Sequence, residues 1–114
     1  MSRTQGRAGG AHDHDDERDD APPGKARLDK WLWAARFYKT RALAAEAIDG
    51  GKVTVNGDRA KRARLVGAGD ELAIRSGAYE HVVQVRGVAL RRGSATVAQE
   101  LYEETAASRA ARAA

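Results

Sequence analysis

The stretch RLDKWLWAARFYKTRAL, residues 27–43, sets Trp31, Trp33, Phe37 and Tyr38 among five Lys and Arg, in a 114-residue chain with only 5% aromatics. Leu28, Trp31, Leu32 and Ala35 recur at i, i+3, i+4 and i+7. This spacing predicts a helix over 28–38 with one apolar stripe turned to a core. Lys30, Trp33 and Phe37 project to its other side. Thr40 is a good N-cap and predicts a second helix over 41–49, with Leu43, Ala44, Ala47 and Ile48 as its buried candidates. Gly50 and Gly51 stop that helix, and the first of them is expected in the left-handed C′ conformation.

Strands follow the helix pair. KVTVNG alternates, with Val53 and Val55 on one face, and then meets Asn56-Gly57, a hairpin turn signal. DRAKRARLV is polar and basic until Leu65 and Val66. A turn at Gly69-Asp70 precedes an alternating strand with Leu72 and Ile74 inward, and Val83, Val85 and Val88 mark another. Ser94 is expected to cap a last helix over 95–114. Val97, Leu101 and Tyr102 form its thin apolar stripe, and its Ala-rich end is expected to fray. Two helices followed by a small, mostly antiparallel sheet predict an α+β domain.

The length fits one domain with a modest core. The formal net charge is +4, with 32% charged residues. It is unevenly placed: residues 1–24 carry −3, residues 25–75 carry +6 and residues 76–114 carry +1. A basic middle calls for an acidic partner such as nucleic acid, an anionic membrane surface or an acidic protein. Residues 1–24 contain almost no large apolar side chain and predict a disordered acidic tail, followed by a folded domain over 25–92 and the C-terminal helix over 93–114. Within the tail, HDHDDERDD (12–20) contains metal-ligand residue types, but reads as a solvated acidic run; that it competes for the basic surface is a separate hypothesis, which unchanged RNA affinity on deleting residues 1–22 would overturn. The longest apolar run, Trp31 to Ala35, is far short of the roughly 20 residues that span a bilayer. No apolar signal-peptide core opens the chain, so a cytoplasmic location without a membrane partner is expected.

Catalytic signals are missing. With no cysteine, there is no thiolate nucleophile, thiolate metal site or disulfide framework. His12 and His14 fall in the acidic tail, and His81 sits in a predicted strand without a Ser-His-Asp signature. No phosphate-cradling glycine motif occurs. Asp29, Asp49 and Asp70 suit a helix start, a helix end and a turn. The chain therefore reads as neither an enzyme nor a cofactor or metal binder.

The cations offer more. Arg27, Lys30, Arg36, Lys39 and Arg41 lie on or between the two helices, Lys52 opens the first strand, and Arg59, Lys61, Arg62 and Arg64 follow the Asn-Gly turn. Converging on one rim, they would neutralise phosphates and release counterions. Trp31 is expected in the core. For Trp33 and Phe37, base stacking and packing at the back of the fold are both open. Charge and aromatics thus lead to a nucleic-acid-binding module, with RNA and DNA both possible.

Beyond this, Arg27, Leu28, Asp29, Arg36, Thr40, Arg41, Ala44, Ile48, Gly51, Val53, Val55, Asn56, Gly57, Gly69 and Asp70 follow a pattern that resembles the S4-type RNA-binding domain, named after the fourth protein of the small ribosomal subunit. DKWLWAARFYKTR, together with LYEETA at 101–106, resembles the ribosome-associated heat-shock protein 15 family. The resemblance spans residue 27 to about residue 108. It implies a two-helix αL RNA-binding motif on the sheet and no attached catalytic domain. It also implies binding to rRNA, and to tRNA, on the large ribosomal subunit, with a role in recycling stalled subunits that carry nascent chain and tRNA after heat stress. The RNA-facing residues it implies are Arg27, Lys30, Arg36, Lys39, Thr40, Arg41, Lys52, Asn56, Arg59 and Lys61. Thr40 and Asn56 also have structural readings, as helix cap and turn residue. Family members carry a long basic stretch past the last helix, whereas residues 108–114 here read SRAARAA. Two other readings are a detached module that guides an RNA-modifying enzyme, and a basic protein-interaction module. With no long apolar seam, a monomer is expected.

Overall fold

The computed structural model describes residues 21–113. Apart from residues 21–24, the expected acidic tail lies outside the described residues. The element order is β1 (Lys25–Arg27), α1 (Leu28–Ala34), α2 (Arg41–Asp49), β2 (Val53–Val55), β3 (Asp58–Arg59), β4 (Leu65–Gly67), β5 (Glu71–Ser76), β6 (Tyr79–Val85), α3 (Ala95–Gln99), β7 (Tyr102–Glu104) and α4 (Ala106–Ala113). This is the α+β architecture that the alternating patterns imply.

The apolar stripe of α1 is buried as its spacing requires: Leu28, Trp31 and Leu32 are fully enclosed, and Ala35 nearly so. The Trp31 indole N–H donates to the Gly87 carbonyl at 2.8 Å, so the one polar atom of this core side chain is satisfied. The helix is shorter than its periodicity suggests, because Arg36 takes φ 68°. Phe37 N–H then bonds Leu32 O at 3.0 Å and Arg36 N–H bonds Trp33 O at 3.1 Å, the pattern of a Schellman cap. In α2 the Thr40 hydroxyl accepts from Leu43 N–H at 3.0 Å, as a capping residue should. Ala44, Ala47 and Ile48 are buried, but Leu43 is 45% exposed; the helix turns its Ala-rich side to the core. Its end also departs from expectation. Gly51, at φ 78°, occupies C′, and Gly50, at φ −80°, is the C-cap.

Strands β3-β2-β5-β6-β7, all neighbours antiparallel, form a five-stranded sheet, while β1 and β4 make a separate antiparallel pair. Val53, Val55, Leu72, Ile74, Val83 and Val85 are buried. They occupy alternate strand positions, as side chains on one face must. Val88 lies beyond β6 and is half-buried. Asn56 and Gly57, at φ 52° and 88°, make the two-residue turn between β2 and β3 that Asn-Gly favours.

The C-terminal region corrects the single helix expected over 95–114. Ser94 does cap a helix, accepting from Val97 N–H at 3.2 Å, but α3 ends at Gln99. Residues 102–104 pair with β6, and a second helix, α4, follows. Val97 is exposed, whereas Leu101 is buried. Helix α4 is pinned through Ser108, whose hydroxyl accepts from Val82 N–H at 3.0 Å and donates to Glu104 at 2.7 Å. Arg112 also bonds the Glu104 carboxylate. That bond leads in holding the Glu104 pKa down to about 2, with help from Ser108 and the nearby His81 and against the effect of burial. No helix among the described residues is long and apolar enough to cross a membrane.

Candidate nucleic-acid interface

Strand β3 and the β3–β4 loop together carry four of the expected cations, Arg59, Lys61, Arg62 and Arg64, and the backbone places the loop on the helix pair. At the N-terminus of α1, Leu28 N–H donates to Arg64 O at 2.8 Å and Asp29 N–H to Arg62 O at 3.2 Å. The loop thus satisfies helix-start donors that have no partner within the helix. At the far end of α2, the Arg59 guanidinium donates to Asp49 O at 2.7 Å and Arg62 pairs with the Asp49 carboxylate. Cations suit a helix C-terminus because its free carbonyls carry partial negative charge.

Asp29 is the second organising point. It is buried and receives Arg27 through two bonds, of 3.1 and 2.9 Å. Arg41, from the start of α2, reaches the same carboxylate at 3.3 Å, and the Lys30 amide donates to it at 2.7 Å. One carboxylate thereby fixes two guanidinium groups, one from the end of β1 and one from the start of α2, leaving an excess of positive charge at the rim.

The remaining candidates divide. Lys39 and Lys61 are exposed. Arg36 donates to Gly93 O at 2.9 Å, and with Lys52 it lines a groove of about 750 Å³ on the sheet side of α2, beside Leu43 and Arg75. The expected cation set therefore spans two neighbouring surfaces, the loop-and-helix rim and this groove. Asn56 is committed to structure: its amide donates to Asp70 at 3.1 Å and its oxygen accepts from Glu71 N–H at 2.9 Å. Burial pushes the Asp70 pKa up, but the Gly67 N–H, Asn56, Lys25 and Arg64 outweigh it and hold the carboxyl below its ordinary value.

Phe37 is half-buried and packed against the core. Its ring stacks on Trp31 with centroids 6.0 Å apart and meets Tyr102 at 4.8 Å. Trp33 is half-buried against the same core. Sequence reading missed Arg92, which donates to Trp33 O at 3.0 Å and braces the α1–α2 connection from far along the chain. It also missed Arg75, whose amide bonds Lys52 O at 2.8 Å. Neither sits in a local motif; only the sheet and the return of residues 92–93 bring them here. Among the described residues, no group of three His, Cys, Asp or Glu is placed to hold a metal ion.

A helix pair with a basic loop laid across its ends, on a small antiparallel sheet, defines an S4-domain protein, and the family model described as the S4 domain matches residues 26–72. The chain belongs to the heat shock protein 15 family of S4-domain proteins. It is 53% identical over 87 residues to Heat shock protein 15 of Escherichia coli, a match covering 76% of this chain and 65% of that protein. It is 40% identical over 80 residues to the RQC P-site tRNA stabilizing factor of Halalkalibacterium halodurans, covering 68% of this chain and 91% of that one. A solved structure described as trimeric Vibrio cholerae Heat Shock Protein 15 superposes with a TM-score of 0.75 at 47% identity, covering 78% of this chain and 90% of that chain.

Proposed function

We propose that the protein is a non-enzymatic RNA-binding factor that binds rRNA and tRNA on the large ribosomal subunit and assists recycling of subunits stalled with nascent chain and tRNA after heat stress. The observation that carries this reading is the loop of residues 59–64 bonded across α1 and α2. It joins two basic segments, far apart in sequence, into one cationic rim. Such a rim tracks phosphates, while the shape of the helix pair limits which backbone it fits. Relatives named for heat shock, and in one case for stabilising P-site tRNA, support the ribosomal setting.

Sedimentation of tagged protein from heat-stressed and unstressed cells tests this. Co-migration with free large subunits, increased by stress, is the expected result; protein left at the top of the gradient in both conditions defeats it. The double variant Arg36→Ala, Arg41→Ala, checked for an intact fold by circular dichroism, should lose roughly 10- to 100-fold in subunit affinity, as expected for two phosphate contacts. Unchanged pelleting would remove the helix pair from the interface.

A further inference from the structure

On the inner face of the sheet, β5 and β6 run on beyond β2. The last β2–β5 pair in this direction is Val53–Ile74, whereas β5 and β6 continue to Ser76–Tyr79. The groove of about 750 Å³ lies here, bounded by the α1–α2 connection, α2 and the β5–β6–β7 face. Its apolar lining comes from Ile74 and Val83 of the sheet, Tyr102 of β7, Leu43 of α2 and Tyr38 of the connection. Leu43 is 45% exposed, and Tyr38 and Tyr102 are half-buried. Sites for small organic groups have this form: about 300–1,000 Å³, apolar and aromatic walls, and a few polar groups that fix orientation.

The polar groups around the groove favour an anion. Lys52 and Arg75 line it and are exposed. Among the described residues, neither side chain has a hydrogen-bond or ion-pair partner. Arg36 gives its Nε–H to Gly93 O, and its two terminal amino groups have no partner among the described residues. The Tyr38 hydroxyl has none either. Of the two acids that line the groove, Glu104 is held by Arg112. That leaves Glu46 against Arg36, Lys52 and Arg75, one negative charge against three positive, net +2. The groove also opens beside the rim. Gly50 lines it, and a Cβ on the next residue, Gly51, would lie 3.5 Å from the guanidinium carbon of Arg59.

We propose that the groove holds one unpaired nucleotide of the RNA that the rim engages, with its base against Tyr38, Leu43 and Tyr102 and its phosphate on the Arg36 guanidinium. This rests on the RNA-binding reading of the rim and adds to it a requirement for a base free of pairing. The rim meets backbone, which positions an RNA without reading it. A base lifted out of its stack offers a flat apolar face that suits apolar and aromatic side chains. The guanidinium fork bonds a phosphate through two parallel N–H groups, and Lys52 and Arg75 add positive charge nearby. An acidic peptide would meet the cations but leave the apolar lining uncovered; a nucleotide carries both the anion and the apolar face.

The test titrates the full chain with two RNA hairpins that share one stem, the first fully paired and the second carrying a single bulged adenosine. The bulged hairpin should bind roughly tenfold more tightly, as one stacked base provides. In Leu43→Glu that ratio should fall to about 1. The ratio is read because the added charge weakens both complexes, and binding of the paired hairpin shows that the variant is folded. Leu43→Ala, which removes apolar surface without adding charge, should lower the ratio as well. Methyl NMR signals of Leu43, Ile74 and Val83 should shift with the bulged hairpin and stay in place with the paired one. Equal affinities of the unaltered chain for the two hairpins, or a ratio that survives both substitutions, overturn the groove proposal and leave the RNA reading of the rim standing. Binding of neither hairpin overturns both. Groove methyls that shift with polyglutamate but not with the bulged hairpin overturn it in favour of an acidic peptide.

Discussion

Helices α1 and α2 close with the same hydrogen-bond pattern around different residues. In α2, Gly51 N–H bonds Ile48 O and Lys52 N–H bonds Ala47 O, with Gly51 in the left-handed region, where a glycine is at ease. In α1 the equivalent place is held by Arg36 at φ 68°, where a side chain costs roughly 1–2 kcal/mol. What stabilises the costlier end is aromatic: Phe37, one residue beyond, lies against Trp31 in the last turns of α1, the apolar contact that often accompanies this cap. Lys52 has no such role at the end of α2. The position kept for an arginine in spite of strain also lines the groove and bonds Gly93. An unfavourable backbone held by its surroundings points to use of the side chain.

The largest break in this comparison is Phe37→Ala. It removes the contact that holds the α1 end and opens the Trp31–Phe37–Tyr102 cluster. Fully buried Phe→Ala changes cost about 3–5 kcal/mol, and this half-buried ring should cost about 2–3 kcal/mol, read as a lower urea midpoint at constant m-value. Next is Gly51→Ala. A Cβ there meets nothing closer than the Arg59 guanidinium carbon at 3.5 Å, an ordinary contact, so the cost is the backbone conformation alone. The expected loss is about 1 kcal/mol in the same urea measurement. A loss as large as that of Phe37→Ala would mean that the two ends are not held differently.

The contrast also marks how far the sequence could be read. The helix pair was legible because the stripe of Leu28, Trp31, Leu32 and Ala35 and the Thr40 cap are local signals. The stop at Ala34 was not, because the residue that turns left-handed is an arginine and Tyr102, which helps pack Phe37, comes from β7. The same limit explains the C-terminal region: an Ala-rich, charged stretch favours helix, but residues 102–104 find strand partners on the open edge of β6, and pairing overrides propensity. Strand β1 is three residues long and exists only against β4. At the candidate site the cation types were plain in the sequence. Their grouping around Asp29 and Asp49 depends on loop–helix bonds that no spacing encodes.

The smallest stability effect belongs to the most informative change, Arg36→Gly. Glycine relieves the left-handed strain, worth roughly 1–2 kcal/mol, but adds about 0.5–1 kcal/mol of unfolded-state entropy. The exposed bond to Gly93 O, lost with the side chain, adds about 0.5 kcal/mol on the same side. The terms nearly cancel, so the net change should lie between about 0.5 kcal/mol of loss and about 1 kcal/mol of gain, and the α1 end would come to match that of α2. RNA affinity should separate from stability: loss of one phosphate contact should weaken binding several-fold and reduce the slope of log affinity against log salt by about 1. A stable variant with an unchanged slope would mean that Arg36 is there to hold Gly93. The strain at the end of α1 would then serve the fold, through the brace to residues 92–93, with no part in binding.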